Sequence, residues 1–179
     1  GTAALLDASG ATVVRATANV APSTAELLEG ILRAGVEEIV LLPSESDIRP
    51  VAEAAAEKAR AQGIRISVIP TRSIVQTLAA VAVHEPGARF DDDVVAMTRA
   101  AGATHYGGVS VASREAVTSA GHCRVGDVLG IVEGDVVEIG DSVEDVAVRV
   151  LERLLSSGGE LVTLVRGDEA DDTAAAAIT

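Results

Sequence analysis

Glu38-Ile39-Val40-Leu41-Leu42-Pro43-Ser44-Glu45-Ser46 and, further on, Ile64-Arg65-Ile66-Ser67-Val68-Ile69-Pro70-Thr71-Arg72-Ser73 decide the fold of this chain. Each is an apolar run too short for a helix, stopped by a proline and followed by hydroxyl side chains, which reads as a buried strand leaving its sheet. Between them the spacing predicts a helix from about Asp47 to Gln62, closed by Gly63. After the second run, Ser73 and Gln76 form a capping-box pattern at the head of a helix from Ile74 to His84. Apolar strands alternating with helices imply parallel pairing through right-handed crossovers, so the first part of the chain reads as α/β, doubly wound or close to it.

The same grammar extends outward. Residues 2 to 9 read as the last turns of a helix ending at Gly10, followed by a strand from Thr12 to Ala16. Pro22-Ser23-Thr24-Ala25-Glu26 carries another capping box, and Leu27, Leu28, Ile31 and Leu32 mark a helix that stops at Gly35. A fourth helix, Phe90 to Ala101, begins under Asp91, Asp92 and Asp93, where carboxylates complement the free amides of a helix start. From about Thr104 the pattern changes. Gly107 to Ser113, Glu115 to Thr118, Val128 to Val132 and Val136 to Ile139 are strand-like, and turns at Gly121, Gly126-Asp127 and Glu133-Gly134-Asp135 make them antiparallel hairpins. Ser142 and Glu144 introduce a helix through Val146, Val150, Leu151, Leu154 and Leu155 to Gly158-Gly159, and Glu160 to Val165 reads as a last strand rejoining the main sheet. The organisation expected is a single domain: β-α units over 1–103, a hairpin insertion over 104–140, a closing helix and strand over 141–166, and a disordered acidic, alanine-rich tail over 167–179.

Composition narrows the function. The chain has 179 residues, 48% of them apolar, with Phe90 and Tyr106 as its aromatics, so its core is built from small aliphatic side chains. A formal charge of −13 opposes binding to nucleic acid, which needs a basic surface. Asp168, Glu169, Asp171 and Asp172 place part of that charge in the tail. Cys123 is single and cannot form an internal disulfide, and there is neither a signal peptide nor a membrane-length apolar run. The cytoplasm is the expected compartment. The start at Gly1, without an initiator methionine, points to a piece of something longer.

Three sets of residues carry a resemblance: Pro22-Ser23-Thr24-Ala25-Glu26-Leu27-Leu28; Ile39-Val40-Leu41-Leu42-Pro43-Ser44; and Ser67-Val68-Ile69-Pro70-Thr71 with Gln76. To these the hairpin Gly126-Asp127-Val128-Leu129-Gly130-Ile131-Val132-Glu133-Gly134-Asp135-Val136-Val137 adds a fourth. In this order, over roughly residues 20 to 166, they resemble the C-terminal domain of the DhaL-domain-containing kinases. That family includes fatty-acid kinase, in its A-type subunit, together with proteins labelled dihydroxyacetone kinase family or Dak phosphatase. The resemblance implies an EDD-like fold, a mostly parallel sheet with flanking helices plus a small antiparallel hairpin subdomain, similar to DegV proteins. It also implies that ATP and Mg²⁺ belong to a separate N-terminal helical domain. The substrate would be a fatty acid, or a dihydroxyacetone-type molecule, held by a DegV-like partner that this domain docks. Ser44 stands where the family commonly has Asn, and Val75 and Thr77 replace the Pro and Gly that usually flank Gln76. The family pattern places another strand before the first helix, so an edge left open there would be a place for a homodimer.

The residues themselves show no nucleotide site. No glycine-rich loop ends in Lys-Ser or Lys-Thr, and no closely spaced aspartates suit Mg²⁺. The family's metal segment is of His-x-His type, whereas His84, His105 and His122 are isolated, and the His122-Cys123 pair would need distant help to bind zinc or to act as nucleophile and base. Topology supplies the better candidate. Ligands of open parallel sheets sit beyond the strands' carboxyl ends, which here are Pro43-Ser44-Glu45-Ser46 and Pro70-Thr71-Arg72-Ser73. Ser44, Thr71, Arg72, Ser73 and Gln76 could together hold a phosphate, a carboxylate or an acidic side chain of a partner. The competing reading is architectural: Ser73 and Gln76 cap a helix, Thr71 ends a strand, Pro70 fixes the bend and Arg72 reaches into solvent. Three functions follow: a non-catalytic docking domain, a small-molecule domain for fatty acid, triose or phosphate, and a phosphatase, against which the missing catalytic constellation weighs.

Overall fold

The computed structural model describes residues 1–15, 20–156 and 158–167. The chain divides into two compact units, Gly1–Thr104 and His105–Thr179. The acidic tail expected from 168 onward lies outside the described residues.

The first unit begins with α1 (Thr2–Ala8), after which Gly10 takes the left-handed conformation at φ +85°. Helix α2 (Thr24–Ala34) starts on the expected capping box. The Ser23 hydroxyl accepts the Glu26 amide at 3.3 Å, and the Glu26 carboxylate accepts the Ser23 amide at 2.8 Å and its hydroxyl at 2.7 Å. Those two donations hold the Glu26 carboxyl below its ordinary pKa. Gly35 closes the helix at φ +65°.

Strand β1 (Glu38–Leu41), helix α3 (Arg49–Arg60) and strand β2 (Arg65–Val68) form one parallel β-α-β unit, followed by α4 (Ile74–Ala82) and α5 (Phe90–Ala103). The parallel register runs from Glu38 opposite Arg65 to Leu41 opposite Val68. Helix α3 starts later than its polarity suggests because Pro50, which lacks an amide proton, sits in its first turn. Ala52, Ala55, Ala56 and Ala59 line one face at helical spacing, and these small side chains let α3 pack closely against Leu27 and Ile31 of α2 and Ile66 of β2. A second cluster joins Ile69, Ala80, Met97 and Ala101.

One expected strand of this unit does not form. Residues 12–15 enter no ladder, and Ala16 lies outside the described residues. Val14 packs as a side chain against the α2–α3 core instead. Among the described residues, parallel pairing is therefore confined to β1 and β2.

The second unit is antiparallel. Strands β3 (Gly107–Val111), β6 (Val128–Val132) and β7 (Asp135–Gly140) form a sheet in the order β3-β6-β7, and β4 (Ala116–Thr118) pairs with β5 (Gly121–Cys123) as a separate ribbon. Helix α6 (Val143–Leu155) is capped by Ser142 and lays Val146, Val150 and Leu154 on the three-stranded sheet. Glycine permits that approach: a Cβ at Gly130 would lie 2.8 Å from Val150 Cγ2 and 2.9 Å from Val146 Cγ1. The α/β class and the antiparallel hairpins are as the sequence implies. The closing strand is not. Glu160–Val165 forms no ladder, so the predicted helix-strand pair is realised as a helix covering the antiparallel sheet.

Candidate functional site

Parallel register brings the two carboxyl-end loops face to face. The offset that pairs Leu41 with Val68 also pairs Ser44 with Thr71, and there the Ser44 amide donates to Thr71 Oγ1 at 3.0 Å. Thr71 is turned inward by a tight bend at Pro70, its amide donating to the Ile69 carbonyl at 2.7 Å, and it is 1% exposed. Ser44 has φ +64°, a left-handed conformation that β-carbon sterics disfavour and that Asn tolerates better than most residues. Two hydrogen bonds hold it, the amide to Thr71 and the hydroxyl to Thr77 Oγ1 at 2.9 Å.

Thr77 completes the cluster. It is buried, 3.3 Å from Thr71 Oγ1, and one turn into α4 it also reaches the Ser73 carbonyl at 3.3 Å. The sequence marked Thr77 as a departure from a family pattern rather than as a partner of the loops. Its position one helical turn after Ser73 was the available signal.

The Ser73/Gln76 capping box forms only by half. Ser73 Oγ accepts the Gln76 amide at 3.3 Å, but the Gln76 side chain does not return to the Ser73 amide. Its Oε1 accepts the Arg72 amide at 2.8 Å, and its Nε2 donates to the Thr104 carbonyl at 3.1 Å. Gln76 thus ties the 70–73 loop to the end of α5. Arg72 points outward as an exposed side chain without a hydrogen bond or ion pair among the described residues.

Of the five candidate residues, Ser44 and Thr71 meet directly, Ser73 Oγ accepts the Gln76 amide, and Gln76 Oε1 accepts the Arg72 amide. The hydroxyls bond one another and nearby backbone groups, the Gln76 side-chain amide bonds the Arg72 amide and the Thr104 carbonyl, and no buried side-chain polar atom among the described residues lacks a partner. What the loop after β2 offers outward is the exposed Arg72 guanidinium. A shallow hollow lies at the opposite, amino end of the same strands, lined by Gly35, Glu37, Glu38, Gly63 and Arg65.

The remaining titratable groups go elsewhere. Asp91 pairs with Arg65 at 2.6 Å, and Asp93, 6% exposed, accepts the Glu85 amide at 3.0 Å and lies 2.7 Å from His84 Nδ1. The acidic run therefore does more than complement a helix start: it fastens α5 to β2 and to the end of α4. His105 pairs with Glu133 at 3.0 Å. His122 is exposed while Cys123 is buried, on opposite faces of β5, so they do not converge. Among the described residues no group of three or more His, Cys, Asp or Glu is placed to hold a metal, and no helix is long and apolar enough to cross a membrane.

Parallel strands with interlocked loops at their carboxyl ends, joined in sequence to a helix-covered antiparallel sheet, define a mixed α/β protein with two compact units. The chain belongs to the family of C-terminal domains that are like the A-type subunit of fatty acid kinase, and the family's model matches residues 1–179. It is similar to the uncharacterized protein SH1689 of Staphylococcus haemolyticus, 26% identical over 96% of this chain and 31% of that protein. It is also similar to Protein YloV of Bacillus subtilis, 24% identical over 95% of this chain and 30% of that protein. The chain spans about a third of the length of the curated relatives it matches.

Proposed function

We propose that this chain is a non-catalytic docking domain within a cytoplasmic kinase, and that it receives a DegV-like protein carrying the fatty acid to be phosphorylated. The family supports the fatty-acid kinase setting. The observation that carries docking over direct ligand binding is the interlocking of Ser44, Thr71, Ser73, Gln76 and Thr77, whose side-chain polar atoms are engaged with one another and with neighbouring backbone groups. A ligand pocket presents converging unfilled polar groups or an apolar cavity. A docking rim presents a fixed backbone and an available charge, and Arg72 is that charge: it suits a carboxylate on a partner surface.

ATP and Mg²⁺ belong, on this reading, to another part of the parent protein. The residues here do not fit such a site, because Asp91 and Asp93 are committed to Arg65, His84 and the Glu85 amide.

The test is calorimetric titration of the chain with a DegV-like protein from the same source, loaded and unloaded with fatty acid. Micromolar binding lost in Arg72→Ala is the expected result. No binding to the partner, with thermal stabilisation by free fatty acid, triose or phosphate instead, would replace docking by the small-molecule reading.

A further inference from the structure

Helix α4 is built inside out. Its sequence, Ile74-Val75-Gln76-Thr77-Leu78-Ala79-Ala80-Val81-Ala82, holds two polar side chains, and these are the ones that face inward: Gln76 and Thr77 are buried together with Ala80. At about 3.6 residues per turn, Val75, Leu78 and Ala82 fall on the opposite side of the helix. Val75 and Leu78 are half-buried, Ala82 is exposed, and Val83, next in the chain, is 44% exposed. Neither Val75 nor Leu78 joins an apolar core cluster among the described residues. A surface helix ordinarily turns its polar side chains to water, and one that is apolar all round belongs in an interior. The outer stripe of α4 has the composition of the core of an interface rather than of a solvated face.

The charge at the head of the stripe indicates what covers it. Arg72 precedes the helix, exposed and without an ion pair among the described residues, and the first turn of α4 holds no carboxylate. In a chain of net charge −13 this is an uncompensated positive point, and its complement is a carboxylate at the end of an apolar surface. The backbone groups of a helix are used within it, so no strand can be added to α4 and the occupant meets it through side chains alone. An anionic bilayer is opposed by the net charge and by the scarcity of basic residues, Arg72 being the sole Lys or Arg from 66 to 88. We propose that the stripe of Val75, Leu78 and Ala82 is the surface on which the DegV-like protein seats an amphipathic helix, its apolar side chains against the stripe and a carboxylate at its end against Arg72. The inference rests on the docking reading and extends it from the loop after β2 to the helix that follows.

Calorimetric titration of the chain with the DegV-like protein loaded with fatty acid tests the proposal. Ala82→Glu sets a charge on the stripe and is expected to weaken binding about tenfold or more. Ala54→Glu makes the same change at an exposed position of α3 and is expected to leave binding unchanged. Ala82→Leu adds apolar surface to the stripe and is expected to tighten binding about threefold. Circular dichroism of each variant verifies that the fold is kept. Binding that Arg72→Ala abolishes but that Ala82→Glu weakens no more than Ala54→Glu overturns the stripe and leaves docking at the loop standing. Binding of the chain to anionic vesicles that Ala82→Glu abolishes, with the partner's affinity unchanged, overturns it in favour of a bilayer. No binding of the wild-type chain to the loaded protein overturns the docking reading and this inference with it.

Discussion

Replacing Thr71 by valine removes one hydroxyl from the most buried point of the loop cluster while keeping the side chain's shape. Thr71 Oγ1 accepts the Ser44 amide at 3.0 Å and lies 3.3 Å from Thr77 Oγ1. In the variant the Ser44 amide loses its acceptor at a residue already held at φ +64°. Stripping a buried donor of its partner costs about 1–3 kcal/mol. Ser44 is half-buried, so water recovers part of the loss and the expected cost is about 1–2 kcal/mol. The Thr77 hydroxyl adds little to that figure, since the Ser73 carbonyl remains 3.3 Å away. The assay is urea unfolding followed by far-ultraviolet circular dichroism, because the chain has no tryptophan and one tyrosine. Two compact units can unfold separately, so the transition to follow is the one Thr71→Val shifts. A double-mutant cycle with Thr77→Val then isolates their coupling. A change within about 0.5 kcal/mol of wild type, as for an ordinary surface substitution, or no coupling between Thr71 and Thr77, would refute the interlocked cluster.

In the second unit, Gly130→Ala drives a Cβ to within 2.9 Å of Val146, Val150 and Glu138 and should cost about 1–3 kcal/mol, whereas Gly108→Ala, with no neighbour within 4 Å, should be near neutral; thermal melts compare them. Asp93→Ala strips the Glu85 amide and His84 Nδ1 of their common acceptor, and the same melts should show a loss of about 1–3 kcal/mol. Glu26 has a folded-state pKa below its ordinary 4.5, so its contribution is complete above that value and is lost as pH falls through the folded value. Denaturation measured across acidic pH should therefore be less pH-dependent in Glu26→Gln than in wild type.

Local chemistry was legible in the sequence and non-local chemistry was not. The Ser23–Glu26 box formed as read because both partners lie within one helical turn. The Ser73–Gln76 box formed by half because the Gln76 amide finds the Thr104 carbonyl, 28 residues away, which no local pattern announces. Residues 12–15 and 160–165 have the composition of strands, but a strand exists only where a neighbouring edge accepts it. Strand β5, Gly-His-Cys, carries no strand propensity and exists because β4 pairs with it. The Ser44–Thr71 contact follows from two readable runs plus a register of 27 residues that only the fold supplies.

The central claim is that the loops after β1 and β2 form a rim for a protein partner. Hydrogen–deuterium exchange of the chain, alone and with a DegV-like protein loaded with fatty acid, tests it most directly. Docking at this rim predicts slowed exchange concentrated at residues 44–46 and 71–76, and no such protection from free fatty acid. Protection by the partner elsewhere with those loops unchanged, or protection of the loops by fatty acid alone, would contradict it.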